Sequence, residues 1–489
     1  MIRRSAIAAA LAGAPLAAQA PAPAPIPVTE YVARRDSLAA RLGDGLLVAF
    51  GGRQPVADFG PFFQLPAFRY LTNYPDPDAA LVMLVRGGRV ERATLFTTPI
   101  TAREAMYNGA RPDSAAVAAT TGLVAQPVAR LDATVDSLAR TVATLWTLAD
   151  FAASDFAWRD TLTRGQLYTR ALAARRPSLR VRDAHPDVYA LRARKSAAEL
   201  ALVKHAAEAS AQGHLAAMRV PNPTREYELQ AALEAEFMRR GGARPAYGSI
   251  VGGALRGTQL HYMRNRGAIK AGDLVVIDAA TEYEGYAADV TRTIPVGGRF
   301  GPEARALYQV VLDAQLAAER NSRPGLSAIA ALDSSVAVRA KGLLALGLIE
   351  SLDAQLDMPW RTDCVNQPRS CQQAQFWMIH GISHGIGLEV HDPAQFYAGD
   401  RTFKVGDAFV IEPGLYVSTQ MLDALPDTPR NRAFIAKVRP AVERFQGMGV
   451  RIEDSYIVTE RGVERVSAAA PRTIAEIEAV MRERTPPVP

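Results

Sequence analysis

Residues 276–293 read Val-Ile-Asp-Ala-Ala-Thr-Glu-Tyr-Glu-Gly-Tyr-Ala-Ala-Asp-Val-Thr-Arg-Thr, with two strand-like pieces flanking a turn near Gly285. A hairpin that closes at this turn is expected to place Asp278 directly across from Asp289. Cross-strand neighbours have Cβ atoms about 4.5–5.5 Å apart. Two carboxylates at that distance repel unless a proton or a cation lies between them. The hairpin therefore predicts a buried acidic pair that binds metal.

Histidines are concentrated in residues 380–392, which read His-Gly-Ile-Ser-His-Gly-Ile-Gly-Leu-Glu-Val-His-Asp and contain three of the chain's seven. The glycines between them allow the backbone to approach closely around the cluster. A fourth histidine, His261, stands shortly before the acidic hairpin. A single histidine is more often satisfied by ordinary hydrogen bonds, and that interpretation fits His185, His205 and His214.

Two further acids each end a strand-like run: Glu412 follows Val410-Ile411, and Glu453 follows Arg451-Ile452. Burial of a carboxylate at such a position is costly unless the group has a partner. Taken alone, each acid is better explained as a cap or a member of a salt bridge than as a metal ligand.

Together the two Asp, one His and two Glu are enough donors for a cage around two divalent cations, whose charge the four carboxylates balance. An oxygen-rich set with one imidazole and no thiolate suits Mn²⁺, Co²⁺, Fe²⁺ or Zn²⁺ rather than Cu⁺. Two such cations lower the pKa of a bridging water and hold a tetrahedral intermediate. The donor set therefore predicts hydrolytic chemistry at two metal ions.

In their order along the chain, the Asp-x10-Asp hairpin, the His-x3-His-x6-His run, the Glu-Pro-Gly strand and the Arg-Ile-Glu-Asp strand resemble one family. This is the family of pita-bread metallopeptidases, which includes methionine aminopeptidase, aminopeptidase P and prolidase. The resemblance covers nearly the whole mature chain. It implies an α/β (α+β) protein with an N-terminal α/β domain and a C-terminal pita-bread catalytic domain.

The resemblance also implies which residues hold the two divalent cations, with Mn²⁺ expected first and Co²⁺, Zn²⁺ or Fe²⁺ as alternatives. Asp289 and Glu453 would bridge the metals. The full set of implied ligands is Asp278, Asp289, His384, Glu412 and Glu453.

Five residues take catalytic roles by the same resemblance. Glu412 would act as general acid and base on the nucleophilic water, and His391 would steady the tetrahedral oxyanion. His261 and His380 would line the pocket for the proline side of the scissile bond, and Arg451 would support that pocket.

The N-terminal half narrows the choice within the family. Residues 63–78 resemble the non-catalytic domain of aminopeptidase P and prolidase, which methionine aminopeptidase lacks. Residues 397–407 are short, as in aminopeptidase P, where eukaryotic-type prolidases carry an Arg-bearing insertion that reads a dipeptide carboxylate. By contrast, residues 421–446 are long and prolidase-like. We expect a Xaa-Pro aminopeptidase whose partners are peptides with proline second.

The alternatives are a prolidase that acts on Xaa-Pro dipeptides and a metal-free, non-catalytic binding relative. Metal-free relatives lose the acidic and histidine ligands, and all five positions are filled here. A protein that only stores metal would not need the additional histidines at positions 261, 380 and 391.

Two segments depart from the family pattern. Residues 104–109 read Glu-Ala-Met-Tyr-Asn-Gly, where aminopeptidase P often has a tryptophan that reaches a neighbouring subunit's pocket. The family still implies a homo-oligomer, a dimer or a tetramer. Without the tryptophan, the pocket shared with a neighbouring subunit is not expected here. Cys364 and Cys371 lie in an apparent insertion beside the active site and could form a disulfide or remain free thiols.

The N-terminus predicts export to the periplasm or the medium. Residues 1–20 have a short basic start, an apolar run and an Ala-Gln-Ala end, as in a secretory signal peptide. Residues 21–27 alternate Ala and Pro and predict an unpacked tether. The expected domains are residues 28–187 and 188–485. A charge of +6 on scattered arginines gives no reason to expect nucleic-acid binding, and no later segment predicts a membrane span.

Apolar runs and caps predict the main elements. Strands are expected at 45–50, 80–85, 274–277 and 409–411, and helices at 29–42, 131–143 and 227–240. Ser196 and Glu199 have capping-box spacing and predict a helix start. Residues 302–348 are expected to be helical between two β-rich regions, 247–300 and 372–460.

Overall fold

The computed structural model describes residues 21–54, 60–149, 162–360, 363–394 and 402–483. The expected signal peptide lies outside these ranges, as do residues 395–401 and the last residues of the expected second domain. Within the described ranges, no helix is long and apolar enough to cross a bilayer. Residues 21–27 have no helix or strand. Ile26 nevertheless packs into the core, so the prediction of an unpacked tether was wrong at its end.

The N-terminal half is built on a six-stranded sheet with the order β4-β3-β2-β1-β5-β6. Its strands are β1 Gly45–Phe50, β2 Ala80–Arg86, β3 Arg89–Thr97, β4 Val124–Pro127, β5 Thr144–Thr147 and β6 Arg180–Asp183. Its helices are α1 Val28–Leu42, α2 Pro66–Thr72, α3 Ala102–Asn108, α4 Ser114–Thr121, α5 Leu131–Leu138, α6 Arg164–Arg175 and α7 His185–Arg192.

The two central strands explain why this sheet forms. Every residue of β1 and nearly every residue of β2 is buried, because helices cover both faces of the sheet. Both strands were predicted from their apolar runs. The helix expected over 131–143 ends at Leu138 and continues as a short 3₁₀ turn.

The C-terminal half pairs small antiparallel sheets with long helices. Its strands are β7 Arg244–Pro245, β8 Ile250–Gly253, β9 Leu274–Asp278, β10 Thr281–Tyr283, β11 Tyr286–Ala287, β12 Thr291–Pro295, β13 Ala408–Ile411, β14 Gly414–Val417, β15 Met448–Arg451, β16 Asp454–Thr459 and β17 Gly462–Arg465. Its helices are α8 Ala197–Met218, α9 Glu226–Arg239, α10 Pro302–Asn321, α11 Ala328–Ala345, α12 Gln373–Phe376, α13 Thr419–Asp423, α14 Pro429–Arg444 and α15 Ile474–Arg482.

The predicted capping box is confirmed at the start of α8. Ser196 Oγ accepts from the Glu199 N–H, and the Glu199 side chain accepts from the Ser196 N–H. The expectation that 372–460 is β-rich was wrong in part, because α13 and α14 occupy 419–444. Their apolar residues, including Phe434 and Val438, join the large core of this half.

The register of the acidic hairpin also differs from the expectation. Asp278 pairs with Thr291, and Asp289 lies two positions before that partner. The hairpin turns through only Glu284 and Gly285, at φ 49° and 80°, between the paired residues Tyr283 and Tyr286. Positive φ at both central residues is the two-residue hairpin geometry that matches strand twist. Because the shift is two residues, both acids still lie on the same face.

Candidate metal centre

Three buried side chains form the centre of the cluster. One ligand atom from each of Asp289, His384 and Glu453 lies within 4.8 Å of the other two. His384 Nε2 is 3.5 Å from Asp289 Oδ2 and 3.8 Å from Glu453 Oε1. Glu412 adds a fourth member, with Oε1 at 3.6 Å from the same imidazole nitrogen.

Backbone pairing between strands holds these residues together. The Glu453 N–H donates to the Thr291 carbonyl at 3.0 Å, which joins Glu453 to the hairpin of Asp289. The Val410 N–H donates to the His384 carbonyl at 2.9 Å, and Glu412 follows two residues after Val410. Residues far apart in sequence are thereby fixed within contact distance.

The fifth implied ligand, Asp278, lies beside Asp289 and is held by two other side chains. Its Oδ1 accepts from the Tyr247 hydroxyl at 2.6 Å, and the same hydroxyl contacts Asp289 Oδ1. Arg451 Nη2 donates to Asp278 Oδ2. The structure thus brings all five predicted ligands to one site, with Asp278 at its arginine side.

Burial and mutual repulsion shift the proton affinity of the acids. The pKa of Asp289 is raised well above its usual value, first by burial and then by the charges of Glu453 and Asp278. Burial likewise raises the pKa of Glu412 well above its usual value, and that of Glu453 to about 8. Burial lowers the pKa of His384 to about 3, so its imidazole is neutral at neutral pH.

These features fit a divalent metal. Glu453 Oε1 is buried and has no hydrogen-bond donor among the described residues, although it points at His384. Closely spaced carboxylates that resist ionisation are stabilised when a cation lies between them. A neutral imidazole and carboxylate oxygens are suitable ligands for first-row divalent metals.

A row of three side chains lies next to the acids. Arg451 Nη1 donates to the Tyr416 hydroxyl at 2.7 Å, and His380 Nε2 lies 2.7 Å from the same hydroxyl. His380 Nδ1 lies 2.7 Å from the Gly381 carbonyl and 3.4 Å from Glu412 Oε2. Since Tyr416 accepts from Arg451, it donates its own proton to Nε2, and Nδ1 carries the proton of His380.

The two remaining predicted histidines are exposed. The ring of His391 packs beside that of His384, with centroids 4.0 Å apart. His261 follows Leu260, whose carbonyl accepts from Arg451 Nη2 at 3.2 Å. His391 therefore adjoins the cluster directly, whereas His261 reaches it through its backbone neighbour.

Sequence reasoning missed four residues of the site. Tyr247 bridges the two hairpin acids, and Thr291 Oγ1 donates to Glu453 Oε2 at 2.7 Å. His214 Nε2 lies 2.9 Å from the Ala279 carbonyl and 3.0 Å from the Val290 carbonyl, between the two hairpin strands. Of the four, only Tyr416 could have been found from the sequence, since it lies on the same strand face as Gly414 of the Glu-Pro-Gly motif.

The two departing segments have clear structures. Cys364 and Cys371 form a disulfide with Cα atoms 5.6 Å apart, as the first of the two alternatives expected. Thr101 and Glu104 form a capping box at the start of α3. The side chains of Met106 and Tyr107 on this helix are 87% and 76% exposed.

Comparisons with known proteins agree with this architecture. The aminopeptidase P N-terminal domain matches residues 31–146, and metallopeptidase family M24 matches residues 201–460. A Xaa-Pro aminopeptidase of Haemophilus influenzae is 32% identical over 428 residues, covering 86% of this chain and 89% of that protein.

Solved structures give the same result. Proline aminopeptidase P II from Yersinia pestis superposes with a TM-score of 0.76 at 29% identity, over 94% of this chain and 100% of that one. A zinc-substituted E. coli aminopeptidase P in complex with product has a TM-score of 0.76 at 28% identity, over 95% and 100%. The chain therefore belongs to metallopeptidase family M24 and carries an N-terminal domain of the aminopeptidase P type.

Proposed function

We propose that this protein is a Xaa-Pro aminopeptidase, which hydrolyses the first peptide bond of peptides with proline second. The observation that carries the proposal is the cluster of Asp289, His384, Glu412 and Glu453, which adjoins a cleft of about 1090 Å³ through Tyr247 and His391. The relatives from Haemophilus, Yersinia and E. coli are aminopeptidases by name, which supports the same substrate class here.

Residues of both halves line the cleft, among them Phe63, Tyr247 and His391. Arg244 Cζ lies 3.7 Å from the ring centroid of Phe63, which ties the two walls together. We propose that this wall bounds the substrate before its first residue, which would favour removal of a terminal residue over internal cleavage.

We further propose that the five implied ligands hold two divalent cations, with manganese first. The paired carboxylates, the unpartnered Glu453 oxygen and the neutral imidazole of His384 support this assignment. Asp289 and Glu453, at the centre of the cluster, would contact both cations. When bound, the cations supply a lowered pKa for a water molecule and polarise the scissile carbonyl.

Glu412 has the properties of the proton carrier. It is the least buried of the clustered acids, and burial raises its pKa well above the usual value. A group with such a pKa can take a proton from the attacking water and deliver it to the departing proline nitrogen. The His380 Nδ1–H faces Glu412 Oε2 at 3.4 Å and favours its ionised form.

Neutral and fixed donors would surround the substrate. Burial lowers the pKa of His380 to about 3 and raises that of Tyr416 to about 12, so neither changes charge near neutral pH. Arg451 neutralises Asp278 and fixes Tyr416 in place. We assign His380, with His261, to the proline side and His391 to the oxyanion, because His391 adjoins His384 on the cleft side.

The test is hydrolysis by the Mn²⁺-loaded protein of three peptides: Xaa-Pro-Xaa, Xaa-Pro and Xaa-Ala-Xaa. Release of the first residue from Xaa-Pro-Xaa, with much slower release from Xaa-Ala-Xaa, is the expected result. Cleavage of Xaa-Pro alone would identify a prolidase. Equal cleavage of both tripeptides would refute proline selectivity, and no cleavage at all would refute the proposal.

A further inference from the structure

Residues 185–195, which comprise α7 and the three residues after it, form a connector at the junction of the two halves. This connector contacts the segment around His391 from outside the metal cluster. Tyr189, in the last turn of α7, donates its hydroxyl proton to the His391 carbonyl at 3.2 Å. The Ala394 N–H donates back to the same hydroxyl. One side chain of the connector thereby bonds the backbone at His391 and again three residues later.

Arg192, the last residue of α7, holds the residue after His391. Its Nε and Nη2 lie 3.2 Å and 2.9 Å from Asp392 Oδ2, and both side chains are almost fully buried. Asp392 Oδ2 also accepts from the Leu388 N–H at 2.9 Å. The carboxylate therefore fixes the loop on both sides of His391 and joins it to the arginine.

Lys195 adds a third contact from the connector. Its buried Nζ donates to the carbonyl of Asp392. No side chain fits at Gly387, since a Cβ there would lie 2.5 Å from Asp392 Oδ2 and 2.9 Å from Lys195 Cε. The loop and the connector are packed without space between them.

This loop also links the two histidines of the site. The Asp392 N–H donates to the Gly385 carbonyl at 2.8 Å, and the Gly385 N–H donates to the Pro393 carbonyl at 2.9 Å. His384 is therefore held in register with His391. The His391 ring is exposed at the cleft and packs beside the ring of His384, and its direction depends in part on the backbone that carries it.

We propose that Tyr189, Arg192 and Lys195 are positioning residues that act through Asp392 and the adjoining backbone to aim His391 at the reacting carbonyl. The inference rests on the proposed function, in which His391 acts on that oxygen. Arg192 and Lys195 are buried and act through the loop, whereas Tyr189 also lines the cleft. Misplacing a catalytic group by about 1 Å costs on the order of 100-fold in rate, so a clamp on its backbone affects turnover.

The test is a double-mutant cycle between Arg192→Met and His391→Ala, with kcat and KM measured on the Xaa-Pro-Xaa tripeptide. In the native background, we expect Arg192→Met to lower kcat roughly 10- to 100-fold and to change KM little. In the His391→Ala background, the same substitution should cost almost nothing more, because its effect passes through the missing ring.

Arg35→Met is the matched control. Arg35 is also a buried arginine, but it donates to the carbonyls of Leu71 and Thr121 within the N-terminal half. Its loss should lower stability and leave kcat within about twofold. Thermal unfolding and bound manganese are measured for every variant, so that loss of fold or metal is recognised.

Tyr189→Phe takes the place of Arg192→Met if the latter does not fold, since it removes a single hydroxyl. The expected loss in kcat is roughly 2- to 10-fold, the range of one hydrogen bond, and again only when His391 is present. An equal loss in both backgrounds would overturn the inference. So would a His391→Ala protein with native kcat, although the proposed function would survive. Failure of the native protein to cleave the tripeptide would overturn both.

Discussion

Glu453 is a buried acid whose two oxygens differ in environment. Oε2 accepts from Thr291 Oγ1 at 2.7 Å, whereas Oε1 has no donor in the part of the chain that the structure describes. An unpaired buried polar atom costs about 1–3 kcal/mol. That cost is offset if Oε1 is a metal ligand, so Glu453 is the most sensitive position for testing the metal assignment.

Glu453→Gln is expected to abolish metal binding and to reduce kcat/KM at least roughly 1000-fold. The substitution preserves size but removes the negative charge and one ligand oxygen. Bound metal is measured by mass spectrometry after gel filtration. Glu460→Gln, at an exposed acid in the following turn, is the control and should bind metal normally. A Glu453→Gln protein with native metal content would refute the assignment.

Glu412→Gln should affect rate more than affinity. The amide still occupies the site but cannot carry a proton, so kcat is expected to fall roughly 100-fold or more while KM changes little. Steady-state kinetics on the tripeptide check this result. An unchanged kcat would remove Glu412 from the proton-transfer role and leave it, at most, a ligand.

The hairpin from β9 to β12 is the element on which the site depends. Its two-residue turn sets which face carries both acids. His214, from α8, joins the Ala279 and Val290 carbonyls of its two strands. Both strands are thereby fixed beside the two acids, because the Ala279 carbonyl adjoins Asp278 in sequence and the Val290 carbonyl adjoins Asp289.

His214 makes the hairpin sensitive to acid. Burial, and secondly the charge of Arg292, lowers its pKa from 6.5 to about 4, so the folded protein holds it neutral. The stability it contributes is complete above about pH 6.5, where the unfolded chain is also neutral. It is lost as the pH falls toward 4, because only the unfolded chain then binds the proton. The loss is about 3 kcal/mol.

His214→Gln should remove that part of the pH dependence, since the amide can donate to the same carbonyls but does not titrate. Urea unfolding of the metal-free proteins at pH 7.5 and pH 4.5 measures the difference. The native protein should lose more stability between the two values than the variant. Parallel losses would show that His214 does not carry the effect.

For the helices and strands, the sequence predicted which elements exist better than it predicted how the strands pair. The capping box placed the start of α8, and apolar runs placed β1, β2, β9 and β13. The register of the hairpin was wrong by two residues, because the turn type depends on backbone angles at Glu284 and Gly285 that no side chain specified. The helices α13 and α14 were missed, although Phe434, Val438 and Val442 recur every four residues along α14, a spacing typical of a helix.

The whole molecule is held together by contacts between its halves. Arg34 on α1 is buried and lies 3.2 Å from Glu199 on α8, and its Nη2 also reaches the Tyr286 hydroxyl in the hairpin. Arg69 pairs with Glu284 at the hairpin turn. The N-terminal half therefore supports the strand pair that carries the metal ligands, as well as one wall of the cleft.

Metal removal should lower the stability of the entire catalytic half. Without cations, the pKa values of Asp289, Glu412 and Glu453 are raised first by burial and then by the charges of neighbouring acids, so the fold bears the cost of clustering them. A ligand at about 100 times its Kd adds about 2.7 kcal/mol. We therefore expect chelation to lower Tm by about 5 °C or more and Mn²⁺ to restore it. The Glu453→Gln protein should show no such recovery, and an insensitive native Tm would contradict a structural role for metal.

We propose that the protein is exported, and the Cys364–Cys371 disulfide favours this location because such bonds persist in oxidising compartments. Fractionation of the producing cells, followed by intact-mass analysis, should find a chain that begins near residue 21 outside the cytoplasm. A full-length chain from Met1 in the cytosolic fraction would contradict export. Size-exclusion chromatography of the same material tests the expected dimer or tetramer.

Short segments of the sequence predicted the chemistry that we propose for this protein. Two Asp, one His and two Glu at family spacing specified the donor set, because ligand type and local strand context are properties of short segments. The tertiary structure decided what surrounds them. Tyr247, His214 and the connector residues Tyr189 and Arg192 reach the site from distant positions. No local pattern marks such residues, since their contacts arise only when the two halves pack together.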